Sequence, residues 1–300
     1  MNRKIISIFA IFTLILVIPT ANAQLTIGSE AKQELIEVKI NDKGEVDVKH
    51  IVKASNMPGT LHLFSGTISN LVVTNEMGEE KESGIINDGL GNQSIFILPS
   101  KENSIIKYNL ENIILKDNLF TTQISYAEKF SIVFDDQIKM IFVNNNIIFL
   151  EDKKGISVNG GGEIKIEFYS DIPKMIKEVK WEENEFEVEI IADSEIENFN
   201  FDQTSKSISF EVNEENKYVT IAMSEELLGG PYVILFDTEK IQYSKYDINE
   251  HVTLSMKPET TGEITIIGTT VIPEFSMFIP LIMGFLIILT VPFVKKINLH

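Results

Sequence analysis

The sequence contains no cysteine and little histidine, and these shortages exclude several kinds of site. Among 300 residues there are no cysteines, four histidines and one tryptophan. Disulfides, zinc–thiolate centres, cysteine-ligated iron–sulfur clusters and cysteine nucleophiles are therefore excluded. His50, His62, His251 and His300 show no His-x-His or His-x-x-x-His spacing. We expect no metal and no cofactor, so the fold must be stabilised by apolar cores.

Positive charge is also scarce. The chain has 26 basic and 44 acidic residues, a formal net charge of −18. Four of the basic residues stand near the two chain ends, so the long middle part is more negative still. Such a surface repels nucleic acid and anionic headgroups, and we expect no nucleic-acid partner. The acidity fits either solubility in a salty or crowded envelope or the binding of cations.

The first of two long apolar runs stands at the N-terminus. A basic pair precedes the run at 5–18, and a small-x-small triplet ends at Ala23, before Gln24. These features predict a signal peptide over residues 1–23, with cleavage between Ala23 and Gln24. An uncleaved anchor is the alternative, but the run is short for a membrane span.

The second apolar run stands at the C-terminus. Residues 276–294 carry no charge, and Lys295 and Lys296 follow them. This run would rise roughly 28 Å as a helix, about the thickness of a bilayer's hydrocarbon core. It predicts a transmembrane helix, with the two lysines as a cytoplasmic stop under the positive-inside rule. A buried helix of a soluble protein is the alternative, but nothing follows it that could cover it.

Between the two runs the apolar pattern has a period of two. Apolar residues 36, 38 and 40 alternate with charged ones, and the alternation resumes at 46–52 after a Gly-bearing turn, which predicts a β-hairpin. Within 110–120 we expect the one short helix. Further strands are expected at 61–64, 71–74, 94–98, 105–110, 131–134, 140–143, 147–150, 163–168, 185–190, 208–212, 218–223, 232–236, 252–256 and 264–267. Short strands separated by Gly, Asn and Asp predict an all-β sandwich fold.

Pro173 interrupts this pattern and predicts a domain boundary, because proline ends strand pairing. Trp181 is expected in the core of the second module or at its seam with the first. The predicted domains are a signal peptide (1–23), a β-sandwich-like module (24–173), an immunoglobulin-like β module (174–270), and a C-terminal segment with the transmembrane helix and basic tail (271–300).

Three local features have both a structural and a functional interpretation. His50 stands in phase with inward-facing valines, which favours a hydrogen-bonded core histidine over a ligand. The glycines at 160–162 precede an alternating strand rather than a helix, which favours a hairpin turn over a phosphate loop. Asn92 begins the sequon Asn-Gln-Ser in a Gly/Asn-rich loop and is a candidate N-glycosylation site.

The sequence contains no recognisable catalytic motif. Gly-x-Ser-x-Gly and Asp-x-Asp-x-Asp-Gly are both absent. Acidic pairs at 135–136, 182–183 and 214–215 are expected on solvated strands and turns of so acidic a chain, so a glycosidase is the less favoured interpretation. We therefore expect no catalytic residue and no enzymatic activity.

Two stretches carry a family resemblance. Ser-Glu-Glu-Leu-Leu-Gly-Gly-Pro at 224–231 and Ile-Thr-Ile-Ile-Gly-Thr-Thr-Val-Ile-Pro-Glu-Phe at 264–275 resemble the membrane-proximal β module and sorting tail of archaeal cell-surface proteins, including those of ammonia-oxidising archaea. The resemblance implies that an archaeosortase recognises Pro273, Glu274 and Phe275 and that a lipid can replace the span. Ser276 stands where many members carry glycine or proline. A permanent transmembrane anchor is the alternative.

Two functions from different classes remain. The first is an exported, membrane-anchored cell-surface protein with a non-enzymatic structural, adhesive or envelope-associated role. It would lie on the extracellular side of the cell membrane as a single-pass protein, with envelope or S-layer proteins as partners. The second is a surface solute- or cation-binding protein, or a hydrolase with a site built from loops. The lack of a marked site in the sequence favours the first.

Overall fold

A computed structural model describes residues 29–87, 93–150, 154–181, 183–248 and 250–270. All regular elements in these ranges are β-strands, so the predicted all-β class is confirmed, and the several sheets are consistent with a β-sandwich. No helix in the described part is long and apolar enough to cross a membrane. The predicted signal peptide and the predicted C-terminal helix lie outside the described residues.

The chain divides into two compact units. Among the described residues, the first unit comprises 29–37 and 47–110, and the second comprises 38–46 and 111–270. The domain boundary predicted at Pro173 stays a prediction.

The first unit contains two sets of strands. Its strands are β1 (Ser29–Glu30), β2 (Gln33–Ile40, whose last residues belong to the second unit), β3 (Val46–Val52), β4 (Gly59–His62), β5 (Thr67–Thr74), β6 (Ser83–Asn87), β7 (Gln93–Ile97) and β8 (Ser104–Glu111). One sheet has the order β1-β4-β7-β6, with β1 parallel to β4 and the other neighbours antiparallel. The other set has the order β2-β3-β8-β5, and β3 and β8 are antiparallel.

The second unit is larger and follows one antiparallel plan. Its strands are β9 (Ile113–Lys116), β10 (Leu119–Ser125), β11 (Phe130–Phe134), β12 (Met140–Val143), β13 (Asn146–Phe149), β14 (Gly155–Val158), β15 (Glu163–Phe168), β16 (Lys174–Trp181), β17 (Asn184–Ala192), β18 (Ile196–Asp202), β19 (Ser207–Val212), β20 (Val219–Ser224), β21 (Gly229–Phe236), β22 (Glu239–Lys240), β23 (Ser244–Ile248), β24 (His251–Met256) and β25 (Gly262–Thr270). They form the sheets β13-β12-β15-β10-β9, β16-β17-β20-β24-β23 and β18-β19-β25-β21-β22, and β11 pairs with β14.

The last two of these sheets bury a common apolar core. Val188 and Ile221 come from one sheet, and Phe210 and Ile266 come from the other, and all four side chains are inaccessible to solvent. Alternating apolar residues on facing strands produce this arrangement, because successive side chains of a strand point to opposite faces. Trp181 packs against the same core, and its ring lies 5.4 Å from that of Phe201.

The hairpin predicted at 36–52 is confirmed, because β2 and β3 are neighbours joined by a tight turn. The short helix predicted within 110–120 is wrong. That stretch contains the end of β8, all of β9 and the start of β10. Asp117 and Asn118 join β9 to β10 with φ of 49° and 66°. These residue types tolerate the left-handed conformation that a two-residue hairpin turn requires, which a run of aliphatic residues alone does not indicate.

The glycines at 160–162 form a turn, but not the predicted hairpin turn. The preceding strand β14 pairs with β11, whereas the following strand β15 pairs with β10 and β12. The turn therefore carries the chain from one sheet to another. Gly160 is required there, since a Cβ at this position would lie 2.1 Å from the carbonyl oxygen of Ala127.

Candidate functional site

A buried carboxylate organises one side of the second unit. Glu167 lies in β15 and is only 2% exposed. Its Oε1 accepts a hydrogen bond from Lys257 Nζ at 2.7 Å. Its Oε2 accepts from Tyr218 Oη at 2.7 Å and is 2.9 Å from Lys165 Nζ. We call Glu167, Lys165, Tyr218 and Lys257 the Glu167 cluster.

The contacts within the cluster fix the protonation states of Glu167 and Tyr218. Burial alone would raise the pKa of Glu167, but the hydrogen bonds from Lys257, Tyr218 and Lys165 outweigh it and hold that pKa below its usual value. Burial and the adjacent carboxylate raise the pKa of Tyr218 far above its usual value. At neutral pH the carboxylate is therefore an anion and the phenol is neutral. Neither group is prepared for proton transfer, so the cluster is suited to joining elements rather than to acid–base chemistry.

Tyr218 connects this cluster to the surrounding core. Its ring stacks on Phe142 with 3.6 Å between ring centres, and Lys257 Nζ lies 4.5 Å from the centre of the tyrosine ring. Its hydroxyl also lies 3.0 Å from Asn145 Oδ1. Because the hydroxyl has one proton, it donates to either Glu167 Oε2 or Asn145 Oδ1 at a given moment.

A cavity of about 570 Å³ opens beside Tyr218 and Lys257. We call it the amide-lined cavity. Its walls combine primary amides, aromatic rings, hydroxyls and two glutamates, contributed by Asn144, Asn145, Asn146, Gln242, Tyr218, Phe236, Tyr243, Ser244, Ser255, Thr260, Glu239 and Glu259. Such a lining supplies hydrogen-bond donors and acceptors together with apolar ring surface.

Two loops position the amides. Asn144 and Asn145 form the turn between β12 and β13 with φ of 49° and 65°, which asparagine adopts more readily than most residues. Gln242 and Tyr243 lie between β22 and β23, and Tyr243 Oη donates a hydrogen bond to the carbonyl of Tyr232 at 2.9 Å. From the sequence, the three asparagines at 144–146 predict only a turn. Three consecutive amides between two aliphatic strands were the one signal in the sequence that could have indicated a binding site.

A smaller cavity of about 220 Å³ lies beside Lys217, whose ammonium is fully engaged. Lys217 Nζ donates to Asp193 Oδ2 at 2.6 Å and to the carbonyl oxygen of Asp117. Glu214 lies 3.9 Å away. This lysine therefore offers no unpaired positive charge to a ligand and serves to connect three segments of the chain.

In the first unit one lysine contacts two serines, a pairing that some hydrolases use. Lys81 Nζ donates to Ser100 Oγ at 2.7 Å, to Ser104 Oγ at 3.0 Å and to the carbonyl of Glu102 at 3.4 Å. All three ammonium protons therefore have acceptors. Ser100 Oγ itself donates to the Glu102 carbonyl at 2.8 Å, so its proton points away from the lysine. The geometry is that of a stabilised loop and not of a serine activated by a base.

His50 is buried, as predicted, and both ring nitrogens have partners. Its Nδ1 donates to Gln33 Oε1 at 2.7 Å, and its Nε2 accepts from Tyr108 Oη at 3.0 Å. Tyr108 Oη in turn accepts from the backbone N–H of Phe64 at 3.1 Å. Burial lowers the pKa of His50 to about 3, so the ring is neutral at physiological pH. The prediction of a hydrogen-bonded core histidine is confirmed.

The other predicted site residues are not brought together by the described structure. Ala23, Gln24, Asn92, Pro273, Glu274, Phe275, Lys295 and Lys296 all lie outside the described residues. Within the described ranges, no group of three or more His, Asp or Glu side chains is placed to hold a metal ion. The predicted acidic pair at 135–136 instead makes surface ion pairs, such as that of Asp136 with Lys154 at 2.7 Å.

No model of a protein family and no curated protein matches the chain. The amide-lined cavity is therefore the strongest basis for a function, because it combines volume, polar groups and aromatic surface next to a rigid cluster.

Proposed function

We propose that this chain is an exported, membrane-anchored protein of the cell surface with a non-enzymatic structural, adhesive or envelope-associated role. The observation that carries the proposal is the chemistry of the amide-lined cavity. Its amides, rings and hydroxyls recognise ligands, while the adjacent Glu167 carboxylate is already paired with Lys257 and Lys165. A cavity of this composition is suited to binding and lacks an activated nucleophile or a proton donor.

Exposed aliphatic side chains on sheet edges support a role in contacts with other proteins. Ile85 on β6, Ile114 on β9 and Ile176 on β16 are 58%, 68% and 54% exposed, and each stands on the terminal strand of its sheet. Terminal strands present unpaired backbone groups that can pair with another chain, and charged side chains ordinarily discourage this. The strand β6 contains no charged residue at all. Such edges favour association with neighbouring envelope or S-layer proteins.

The proposed location rests on the two chain ends. The signal peptide at 1–23 would direct export, and the span at 276–294, with Lys295 and Lys296 on the cytoplasmic face, would hold the protein in the membrane until a lipid replaces it. Under the family resemblance an archaeosortase would recognise Pro273, Glu274 and Phe275. Asn92 would then carry a glycan on the extracellular side.

A surface solute-binding protein is the second candidate function, because the amide-lined cavity falls within the volume range of small-molecule sites. The two candidates share the absence of catalysis and differ in whether the cavity has a ligand.

The test uses the full chain in membranes from its own cells. Membranes are washed with high salt and alkaline carbonate, then treated with a fluorophosphonate probe that labels activated serines. We expect the protein to stay in the pellet without label. The control uses matched membranes that contain the Ser100→Ala variant, which lacks the hydroxyl that lies 2.7 Å from Lys81 Nζ. Stoichiometric labelling of the wild type that disappears in Ser100→Ala would contradict the non-enzymatic role, and release by carbonate would contradict anchoring.

A further inference from the structure

We propose that the amide-lined cavity binds a neutral sugar unit. This inference deepens the proposed function and rests on it, since a surface protein that recognises a saccharide would adhere through that contact. It is argued from three properties of the cavity, namely its hydrogen-bonding groups, its charge and its aromatic surface.

The hydrogen-bonding groups match those of a saccharide. A sugar hydroxyl both donates and accepts, and a primary amide is the uncharged side chain that offers both roles in one plane. Asn145, Asn146 and Gln242 bring such amides to the same cavity from two loops. Asn146 and Gln242 are exposed, and Asn146 Nδ2 uses one of its two protons in a hydrogen bond to the Asn144 carbonyl at 3.1 Å.

The charges at the cavity favour an uncharged ligand. Lys257 is the cation in the lining, and its Nζ is 2.7 Å from Glu167 Oε1. Lys165 shares the same carboxylate, so Glu167 compensates the charge of Lys257 only in part, and the two glutamates of the lining supply the rest. Glu239 and Glu259 are exposed in the lining and would repel phosphate, sulfate or a carboxylate. A small cation that enters the cavity would be repelled by the ammonium group of Lys257. In addition, the described residues contain no group of acidic side chains arranged around a metal.

The aromatic surface suits the apolar face of a sugar ring. Phe236 and Tyr243 line the cavity and are half-buried, so part of each ring remains accessible. The hydrogen bond from Tyr243 Oη to the Tyr232 carbonyl fixes the tyrosine ring before binding. A ring that is already ordered loses little conformational entropy on binding. The volume of about 570 Å³ accommodates a ligand of one or two sugar rings.

Saturation-transfer NMR on the full chain tests this assignment. The protein is held in a polyoxyethylene detergent, which has neither a sugar headgroup nor a charged group, so that the detergent cannot compete with any probe. The probes are neutral mono- and disaccharides of glucose, galactose, mannose and N-acetylglucosamine, with glucuronate and choline as charged comparators. We expect saturation transfer to at least one neutral saccharide and to neither comparator. Transfer to a comparator alone, or to no probe, overturns the proposal.

A matched pair of variants places the binding in this cavity. The double variant Asn146→Ala with Gln242→Ala removes two exposed amides, and we expect it to weaken saccharide binding about 10-fold, the loss of two ordinary hydrogen bonds. Gln203→Ala removes an exposed amide from a distant turn and should bind like the wild type. Gln203→Ala should keep the wild-type melting temperature, and the double variant should lose only the contribution of the hydrogen bond from Asn146 Nδ2 to the Asn144 carbonyl. Wild-type affinity in the double variant overturns the proposal.

Two forms of the same sugar distinguish a soluble saccharide from a glycolipid as its source. The soluble disaccharide forms one arm, and the same sugar as the headgroup of a glycolipid in vesicles forms the other. Binding in either arm supports the sugar assignment, and the responding arm identifies the source. If the protein hydrolyses a bound disaccharide and releases new reducing ends, the proposed non-enzymatic function is overturned. If the protein stays in the membrane but binds no saccharide, only the inference about the sugar is overturned.

Discussion

At the scale of single residues, the buried carboxylate of Glu167 has a large electrostatic effect on the stability of the described fold. Removing a carboxylate from water costs several kcal/mol, and this cost is offset only when charged partners supply good hydrogen bonds. Lys257, Lys165 and Tyr218 supply three. The arrangement is stable as a whole, but the loss of its central anion leaves two lysines facing each other.

Glu167→Gln should lower the free energy of unfolding by about 3 kcal/mol, the range measured when one partner of a buried ion pair is removed. Chemical denaturation of the purified full chain measures it. The control is Glu163→Gln at the exposed start of the same strand, which should change stability by less than about 0.5 kcal/mol. Equal effects of the two substitutions would show that the cluster contributes nothing special.

The same residue predicts an acid limit on stability. The pKa of Glu167 is lower in the folded protein than its usual value of 4.5, so the unfolded chain takes up a proton first as pH falls. The stability that the anion contributes is therefore present above about pH 4.5 and is lost progressively below it. Denaturation curves over this range should show a smaller loss in Glu167→Gln than in the wild type.

His50 predicts a second pH effect with a different window. Burial lowers its pKa from 6.5 to about 3, so between these values the unfolded chain holds a proton that the folded chain does not. Stability should fall by about 1.4 kcal/mol per pH unit as pH drops below 6.5. His50→Phe should remove this slope. Tyr108→Phe breaks a hydrogen bond to the same ring but keeps the imidazole, so the slope should persist in it.

The sequence indicated one of these residues and not the other. His50 stands in phase with inward-facing valines, so its burial follows from the period of the strand. Glu163, Lys165 and Glu167 alternate with apolar residues in a way typical of a solvated strand face. The residues that cover Glu167 come from positions 51 and 90 residues further along the chain. Local periodicity contains no information about such distant packing.

At the scale of elements, one turn design occurs twice. In Asn-Asp-Lys-Gly-Glu at 41–45 and Asn-Glu-Met-Gly-Glu at 75–79, the first asparagine accepts hydrogen bonds from two backbone N–H groups and donates to the glutamate carboxylate. The glycine has a positive φ in both, 78° at Gly44 and 85° at Gly78. Their surroundings differ, because a Cβ on Gly44 would lie 2.7 Å from the ring of Phe120, while nothing lies within 4 Å at Gly78.

Alanine substitutions at Gly44 and Gly78 distinguish the effect of backbone strain on stability from the effect of a steric clash. Gly78→Ala should lower the free energy of unfolding by about 1 kcal/mol, from the unfavourable φ alone. Gly44→Ala should lose about 1–3 kcal/mol more, since Phe120 stacks on Phe168 and cannot move without disturbing the core. Thermal or denaturant unfolding of the two variants gives the difference. Equal losses would mean that the core adapts around the added methyl group.

The strands themselves could largely be predicted from their alternation, and the two main errors have different causes. The helix expected within 110–120 was wrong because of a local turn, whereas the hairpin turn expected at 160–162 required knowing which strands pair. Tolerance of positive φ at Asp117 and Asn118 determines the first, and the partners of β14 and β15 determine the second. Pairing across long sequence separations depends on the whole packing and leaves little local trace.

At the scale of the whole molecule, the proposed location at the cell surface rests on the net negative charge and on the apolar segments near the two chain ends. A formal charge of −18 and an all-β architecture fit an exported protein that relies on apolar cores instead of disulfides. The amide-lined cavity is the proposed recognition site within that architecture. Its residues could not be grouped from the sequence, because the asparagine triplet and Gln242 are almost a hundred positions apart.

The fate of the C-terminus is measurable by mass. If an archaeosortase processes the chain near Pro273, the mature protein lacks the span and carries a lipid instead. We expect intact-mass measurement on protein from native membranes to give a chain that begins at Gln24 and ends close to this motif. Peptides from 277–295 in stoichiometric amount would show instead that the span is a permanent anchor.

The central claim, an anchored protein facing the outside of the cell, is tested most directly by labelling lysines on intact cells with a membrane-impermeant amine reagent. Lys101 and Lys240 are exposed in the described structure and serve as reporters. We expect both lysines to be labelled before lysis and the labelled protein to sediment with membranes after carbonate washing. Labelling of these lysines only after lysis, or recovery of the protein in the soluble fraction, would contradict it.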